Sequence, residues 1–321
     1  MRSPNIASPS RGSPSRKGRG RAESPSEVPP DSTEPATPAF DSGVLLARRR
    51  ANFRQQTRLR IRSVSTALQF VNAVGLCSTF HVFREGLPSL WEAVVGRPAP
   101  RWPRRSHHDA GIGLAWHLKD VLPAQRQVYY GKLLKGRPVL VSLDLFPSFY
   151  ALVRGAQRAR HYIGEYRDGR LSQSAKHIMD SLIRESPQYT RALRAECFML
   201  EPSRTREFER AMAELQQGLW IVKTGERYEP SFSYRWDLLE RWLPDAVAAA
   251  RRLTRRAALD RLIARYVSAA IYSTPALIAR LFAISRSDVE AAVARLERAG
   301  VVRSAVEIAG RPGRWVVCAR G

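Results

Sequence analysis

The hydrophobic period of this chain switches from helical to alternating twice, in the same order each time, and few folds accommodate that succession. In SQSAKHIMDSLIRESPQYTRALRAECFMLEPSRTREFERAMAELQQGLWIVKTGERYEPSFSY, Ile178, Met179, Leu182 and Ile183 form one apolar stripe, which Ser186 and Pro187 end. Thr190 is an expected N-cap for a short second helix, and Phe208, Met212, Leu215 and Leu219 mark a third, ending at QQG. The residues then alternate. LWIVKT, a turn at Gly225, and RYEPSFSY predict a two-stranded hairpin. Helix, short helix, helix, hairpin is the order of a winged helix-turn-helix.

The order recurs downstream. Leu259, Leu262, Ile263, Tyr266 and Val267 predict a first helix, and Thr274 followed by Pro275 predicts the start of a second. Ser285 and Asp288 have the spacing of a capping box opening a third helix that stops at Gly300, before the hairpin VVRSAVEIAGRPGRWVVCA. A weaker copy is expected upstream, where helices lead to LLKGRPVLVSLDLF. The expected fold is therefore mainly α with small β-hairpin wings, in tandem winged helix-turn-helix domains. Its expected divisions are a disordered Ser/Pro/Arg tail over 1–41, a helical domain resembling a winged helix over 42–170, a middle winged helix over 171–245 and a C-terminal one over 246–321.

Charge narrows the partner. The chain has 53 Lys plus Arg against 29 Asp plus Glu, a net +24, and the stretch from Ser42 to Arg84 carries eight arginines and no acid. A polyanion is the natural partner, and double-stranded DNA the expected one. Codon bias toward Arg is the bland alternative, but it does not cluster positive charge. The expected contacts are Arg48, Arg49, Arg50, Arg54, Arg58, Arg101, Arg104, Arg105, Lys132, Lys135, Arg137, Lys176, Arg191 and Arg194. In the last copy Asp288, Glu290 and Glu297 offset Arg286, Arg295 and Arg298, so that module is expected to pack rather than bind. No segment has the roughly 20 apolar residues a membrane span requires, and none reads as a secretory signal. Three widely separated cysteines argue against a disulfide framework or a cysteine zinc site. A cytoplasmic, nucleoid-associated monomer without membrane or small-molecule cofactor is expected.

The tandem pattern, the strand PVLVSLDLFP and the segment LIARYVSAAIYSTPALIARLF together resemble the crosslink-repair DNA glycosylases, the AlkZ/YcaQ-like winged-helix proteins, over roughly residues 44–321. The resemblance implies a metal-free, DNA-binding protein that hydrolyses the N-glycosidic bond of alkylated or crosslinked purines. The family's Gln-x-Gln or Gln-x-Asp motif follows a helix end of the type VGL. Here Val74, Gly75 and Leu76 are followed by Cys77, Ser78 and Thr79, and the family's Thr-Leu-His reads Ser142, Leu143 and Asp144.

A cationic N7-alkylated purine leaves readily, so a catalyst must chiefly position water and stabilise charge developing at the sugar. A carboxamide or carboxylate suits this; a thiol or hydroxyl at Cys77 or Thr79 does not. VGLCSTF accordingly reads as a packed helix end, and Asp109 and Asp144 are the alternative catalytic candidates. His107, His108 and Asp109 could instead hold a metal, but adjacent side chains seldom converge on one ion, and a loop beside DNA is the other reading. Excision of a damaged base and DNA binding without chemistry, including transcriptional regulation, both remain consistent with the sequence.

Overall fold

Ser63 caps the N-terminus of the helix Val64–Val74 through a reciprocal bond with Thr66, and the helix ends where Gly75 adopts φ +80°. Asp41, Asp109, Ser172, Thr254, Thr274 and Ser285 likewise cap helices through their side chains. The structure, a computed structural model, describes residues 40–83, 86–104, 108–158 and 161–319, all within one compact unit beginning at Ala39. The expected tail lies outside the described residues as far as 39. Phe40 and Asp41, expected in it, belong to the fold: Phe40 exchanges backbone bonds of 2.9 Å with Glu307 and Ala309, and Asp41 caps α1 (Ser42–Asn52).

Among the described residues the fold is mainly α, with three small antiparallel sheets. One succession occurs three times. The first run is α2 (Val64–Val74), β1 (Leu76–Ser78), α3 (Leu90–Val95), α4 (Ala110–Ala124), β2 (Val128–Leu134) and β3 (Arg137–Ser142), after which come α5 (Phe146–Val153) and α6 (Tyr162–Arg167). The second is α7 (Gln173–Arg184), β4 (Gln188–Tyr189), α8 (Thr190–Glu196), α9 (Thr205–Gln217), β5 (Ile221–Arg227) and β6 (Ser233–Leu238), followed by α10 (Leu239–Trp242) and α11 (Pro244–Arg251). The third is α12 (Arg255–Ala270), β7 (Tyr272–Ser273), α13 (Pro275–Phe282), α14 (Arg286–Arg298), β8 (Val302–Ile308) and β9 (Arg311–Cys318). In every sheet the last strand lies between the other two: β1-β3-β2, β4-β6-β5 and β7-β9-β8.

Several local expectations match the structure. Thr274 caps α13 with Pro275 at its first position, and Ser285 caps α14 by accepting from the Asp288 amide. Others are corrected. Tyr189, not Thr190, is the N-cap of α8; the Thr190 hydroxyl instead donates to the Tyr234 carbonyl at 3.1 Å and accepts from Trp236 Nε1 at 3.0 Å, tying α8 to β6. Gly225 is no turn. It lies within β5, at a register shift between Lys223 and Gly225, and the chain reverses between Arg227 and Ser233. In the upstream hairpin, the alternation of SLDLF leaves the sheet after Ser142, and Phe146 begins α5.

The cores do not follow the expected domain boundaries. The middle run has its own, built on Ile178, Met179, Leu182, Leu193, Phe208 and Leu215, and Tyr162 of α6 joins it, upstream of the expected start at 171. The first and third runs share one continuous core, in which Phe70, Leu118 and Phe146 belong with Leu262, Ile263 and Tyr266. Helices α5, α11 and α12 pack together across that seam, and position 246, an expected boundary, falls inside α11.

Candidate nucleic-acid interface

Arg50, Arg58, Arg101, Arg104, Lys132, Lys135, Arg137 and Arg191 are solvent-exposed, as a phosphate-contacting residue must be. Arg105 and His107 lie outside the described residues. Four other expected contacts are engaged internally. Arg49 is largely buried, donates to the carbonyls of Ala270 and Tyr272, and lies 3.6 Å from the Tyr272 ring centre; burial lowers its pKa. It clamps α1 to the third run. Arg194 donates to the Met199 carbonyl at 2.7 Å and to Thr205 Oγ1 at 3.1 Å, closing the loop after α8. Lys176 pairs with Asp180 at 2.6 Å, and Arg54 is half-buried over Phe70. Arg48 is likewise half-buried. In the last run Arg295 makes a bidentate pair with Asp260, Arg286 pairs with Glu290 at 2.7 Å, and Glu297 accepts from Ser304.

The VGLCSTF stretch begins as the buried end of α2, as expected, and then runs on into a strand. After Gly75 the chain enters β1, where Leu76, Cys77 and Ser78 pair with Val141, Leu140 and Val139. Gly75 is required there twice over: its φ is positive, and a Cβ would meet Leu145 Cδ2 at 2.9 Å. Cys77 is fully buried, and desolvation pushes its thiol far up. Ser78 donates to the Pro88 carbonyl at 3.3 Å, and the Thr79 backbone bonds Trp91 and Pro138. These positions line the interior of the first sheet.

The two candidate carboxylates have structural partners. Asp109 caps α4, accepting from the Ile112 amide at 2.8 Å. His108 beside it is exposed. Asp144 accepts from Ser142 and from Arg265 of α12, while its carbonyl accepts from Arg261 at 3.1 Å; Arg265 also donates to the Asn72 carbonyl at 3.1 Å at the end of α2. Asp144 thus binds the first run to the third. Among the described residues no three His, Cys, Asp or Glu side chains gather as metal ligands, the three cysteines are free, and no helix is long and apolar enough to cross a membrane.

A cluster that sequence reasoning missed lies where α4 meets β5. Lys119 and Lys223 are each 3% exposed. Both ammonium groups contact Asp120 Oδ1, Lys223 at 2.8 Å, and Lys223 also pairs with Glu226. Burial alone would raise the Asp120 carboxyl, but hydrogen bonds from the two lysines outweigh it and hold the group below its ordinary value. For Glu226 burial prevails over Lys223, and its pKa is raised; burial lowers that of Lys119. Asp120 and Glu226 line a cleft of about 600 Å³ together with Trp116, His117, Tyr228 and Arg235. The signal available in the sequence was a lysine, Lys223, directly after the apolar Trp220, Ile221 and Val222 of an expected strand.

The chain matches the model of the AlkZ-related family over residues 61–283. Among solved structures it is similar to the Streptomyces sahachiroi DNA glycosylase AlkZ, with a TM-score of 0.49 and 13% identity over 85% of this chain and 69% of that one. No curated protein sequence matches it. With more than half of its length covered by the family model, the chain belongs to the AlkZ-related family.

Proposed function

We propose that this protein binds duplex DNA through three tandem winged helices and works in the repair of alkylated or crosslinked DNA. The observation that carries the reading is the threefold recurrence of one α-β-α-α-β-β run with one sheet order, on a chain of net charge +24. Winged helices present a helix to the groove and a hairpin to the backbone, and excess arginine supplies the phosphate contacts. The AlkZ-related family supplies the repair setting. The exposed Arg50, Arg58, Arg101, Arg104 and Arg191 are the contacts we assign, while α14, its charges paired within the fold, packs.

A second reading, binding without excision, is favoured by one observation: the family's motif positions are occupied by the buried Cys77 and Thr79, neither able to hold negative charge cheaply at neutral pH. Both readings require DNA affinity that falls about a thousandfold or more between 50 and 200 mM salt if roughly six phosphates are neutralised. A flat salt response refutes both. A glycosylase assay on N7-alkylated and crosslinked duplexes then separates them, release of free base supporting excision.

A further inference from the structure

A cavity of about 430 Å³ lies between the end of α1 and the body of α2, and three arginines, Arg54, Arg58 and Arg60, line it. No acid and no histidine is among its lining residues. Among the described residues none of the three arginines enters an ion pair; Arg58 donates to the neutral side chain of Gln56 at 3.2 Å. Arg54 stands half-buried over the Phe70 ring, so its charge is partly stripped of water with no carboxylate to neutralise it, and burial lowers its pKa. The arrangement is held in place. Arg54 has φ +52°, a left-handed conformation that costs energy in a residue other than glycine and collects at functional sites. The loop that carries the arginines is pinned to α3 at both ends: Gln55 Nε2 donates to the buried Glu92 carboxyl at 2.9 Å, and the Ile61 amide donates to the Ala93 carbonyl at 2.9 Å.

We propose that this cavity is a receptor for a terminal phosphate, either the monoester at the end of a DNA strand or the end of a free polyphosphate such as that of a nucleotide. An internal phosphodiester carries one charge and two free oxygens. A terminal phosphate carries about −1.5 to −2 at neutral pH and offers three oxygens. Three guanidinium groups in one concavity match the second in charge and in number of acceptors, and the planar fork of arginine suits phosphate geometry. The volume is that of a small-molecule site, which leaves room for an attached nucleoside beside Leu59. Capture of a strand end rests on the reading of the protein as DNA-binding, whereas capture of a free polyphosphate does not.

The test uses the full chain and one DNA hairpin with a single free end, prepared with both terminal hydroxyls, with a 5′-phosphate or with a 3′-phosphate; inorganic tripolyphosphate is titrated separately by calorimetry. Against the hydroxyl hairpin, a phosphorylated end is expected to bind roughly ten- to a hundredfold more tightly, the span of one hydrogen bond to a charged group. Arg60→Gln, at an exposed position that keeps the fold, should remove most of that gain while leaving the hydroxyl hairpin within threefold, and Arg54→Gln should remove it as well. Arg256→Gln, which deletes an exposed arginine outside the cavity, should keep it. The gain should also shrink from pH 7.5 to pH 5.5, because a monoester takes up a proton near about pH 6 while no residue lining the cavity titrates there. A gain on a phosphorylated hairpin identifies a strand end as the ligand. Tripolyphosphate binding weakened about tenfold by Arg60→Gln but not by Arg256→Gln, with no gain on either hairpin, identifies a free polyphosphate. If neither the hairpins nor tripolyphosphate distinguish native protein from Arg60→Gln, the site is overturned. Failure to bind any hairpin, with Arg60-dependent tripolyphosphate binding intact, would refute the duplex-binding reading and leave this site standing.

Discussion

Replacing Lys223 with methionine removes one ammonium from the seam between α4 and β5 while keeping the length of the buried stem. Asp120 retains Lys119, but Glu226 loses the cation with which it pairs. Breaking a buried ion pair from one side costs about 3–5 kcal/mol. The remaining lysine and the open cleft reduce this to about 2–4 kcal/mol, which lowers Tm by roughly 3–7 °C for a protein of this size. The pH dependence is the sharper test. Glu226 is already raised by burial, and without Lys223 it rises further, so the folded variant holds a proton that the unfolded chain releases above about pH 4.3. The penalty is therefore full at neutral pH and shrinks as pH falls. Calorimetric scans of native and Lys223→Met protein should show a Tm gap that narrows from pH 7.5 to pH 5, and Glu226→Gln added to the variant should restore part of the loss at pH 7.5. An unchanged Tm, or a gap constant with pH, would refute the reasoning.

Arg49→Met should cost about 2–3 kcal/mol, since it removes charged hydrogen bonds to two backbone carbonyls, yet leave the salt slope of DNA binding unaltered; a reduced slope would return Arg49 to the DNA surface. Gly75→Ala should destabilise by about 1–3 kcal/mol through its positive φ and the contact with Leu145, read as a drop in denaturant midpoint. In the native state a thiol reagent should label Cys318 first and leave the buried Cys77 unmodified until the protein unfolds; early labelling of Cys77 would show that β1 opens. Asp41→Ala should lower stability by about 1 kcal/mol by removing the cap of α1.

Local signals were legible in the sequence, and tertiary ones were not. The caps at Thr274 and Ser285 were readable because a hydroxyl three residues before an orphan amide satisfies it whatever the rest of the chain does. Gly225 misled for the opposite reason: glycine permits a turn and a bulge alike, and the pairing of β6 decides between them. Arg49 and Arg194 read as surface charge because their burial depends on carbonyls presented by other segments. The Lys119, Asp120, Lys223 and Glu226 cluster could not be found by spacing, since it joins positions 103 residues apart. Asp109 and Asp144 were visible as carboxylates, but their partners, a helix N-terminus and the arginines of α12, were not.

The core shared by the first and third runs fixes an order of assembly. A chain leaving the ribosome presents every buried residue of the middle run's own core once Trp236 has emerged, whereas Phe70, Leu118 and Phe146 must wait for Leu262, Ile263 and Tyr266. The segment made first thus acquires part of its permanent neighbours last. Until then the apolar faces of α2, α4 and α5 stay partly open, and this interval is when the nascent protein is most exposed to aggregation.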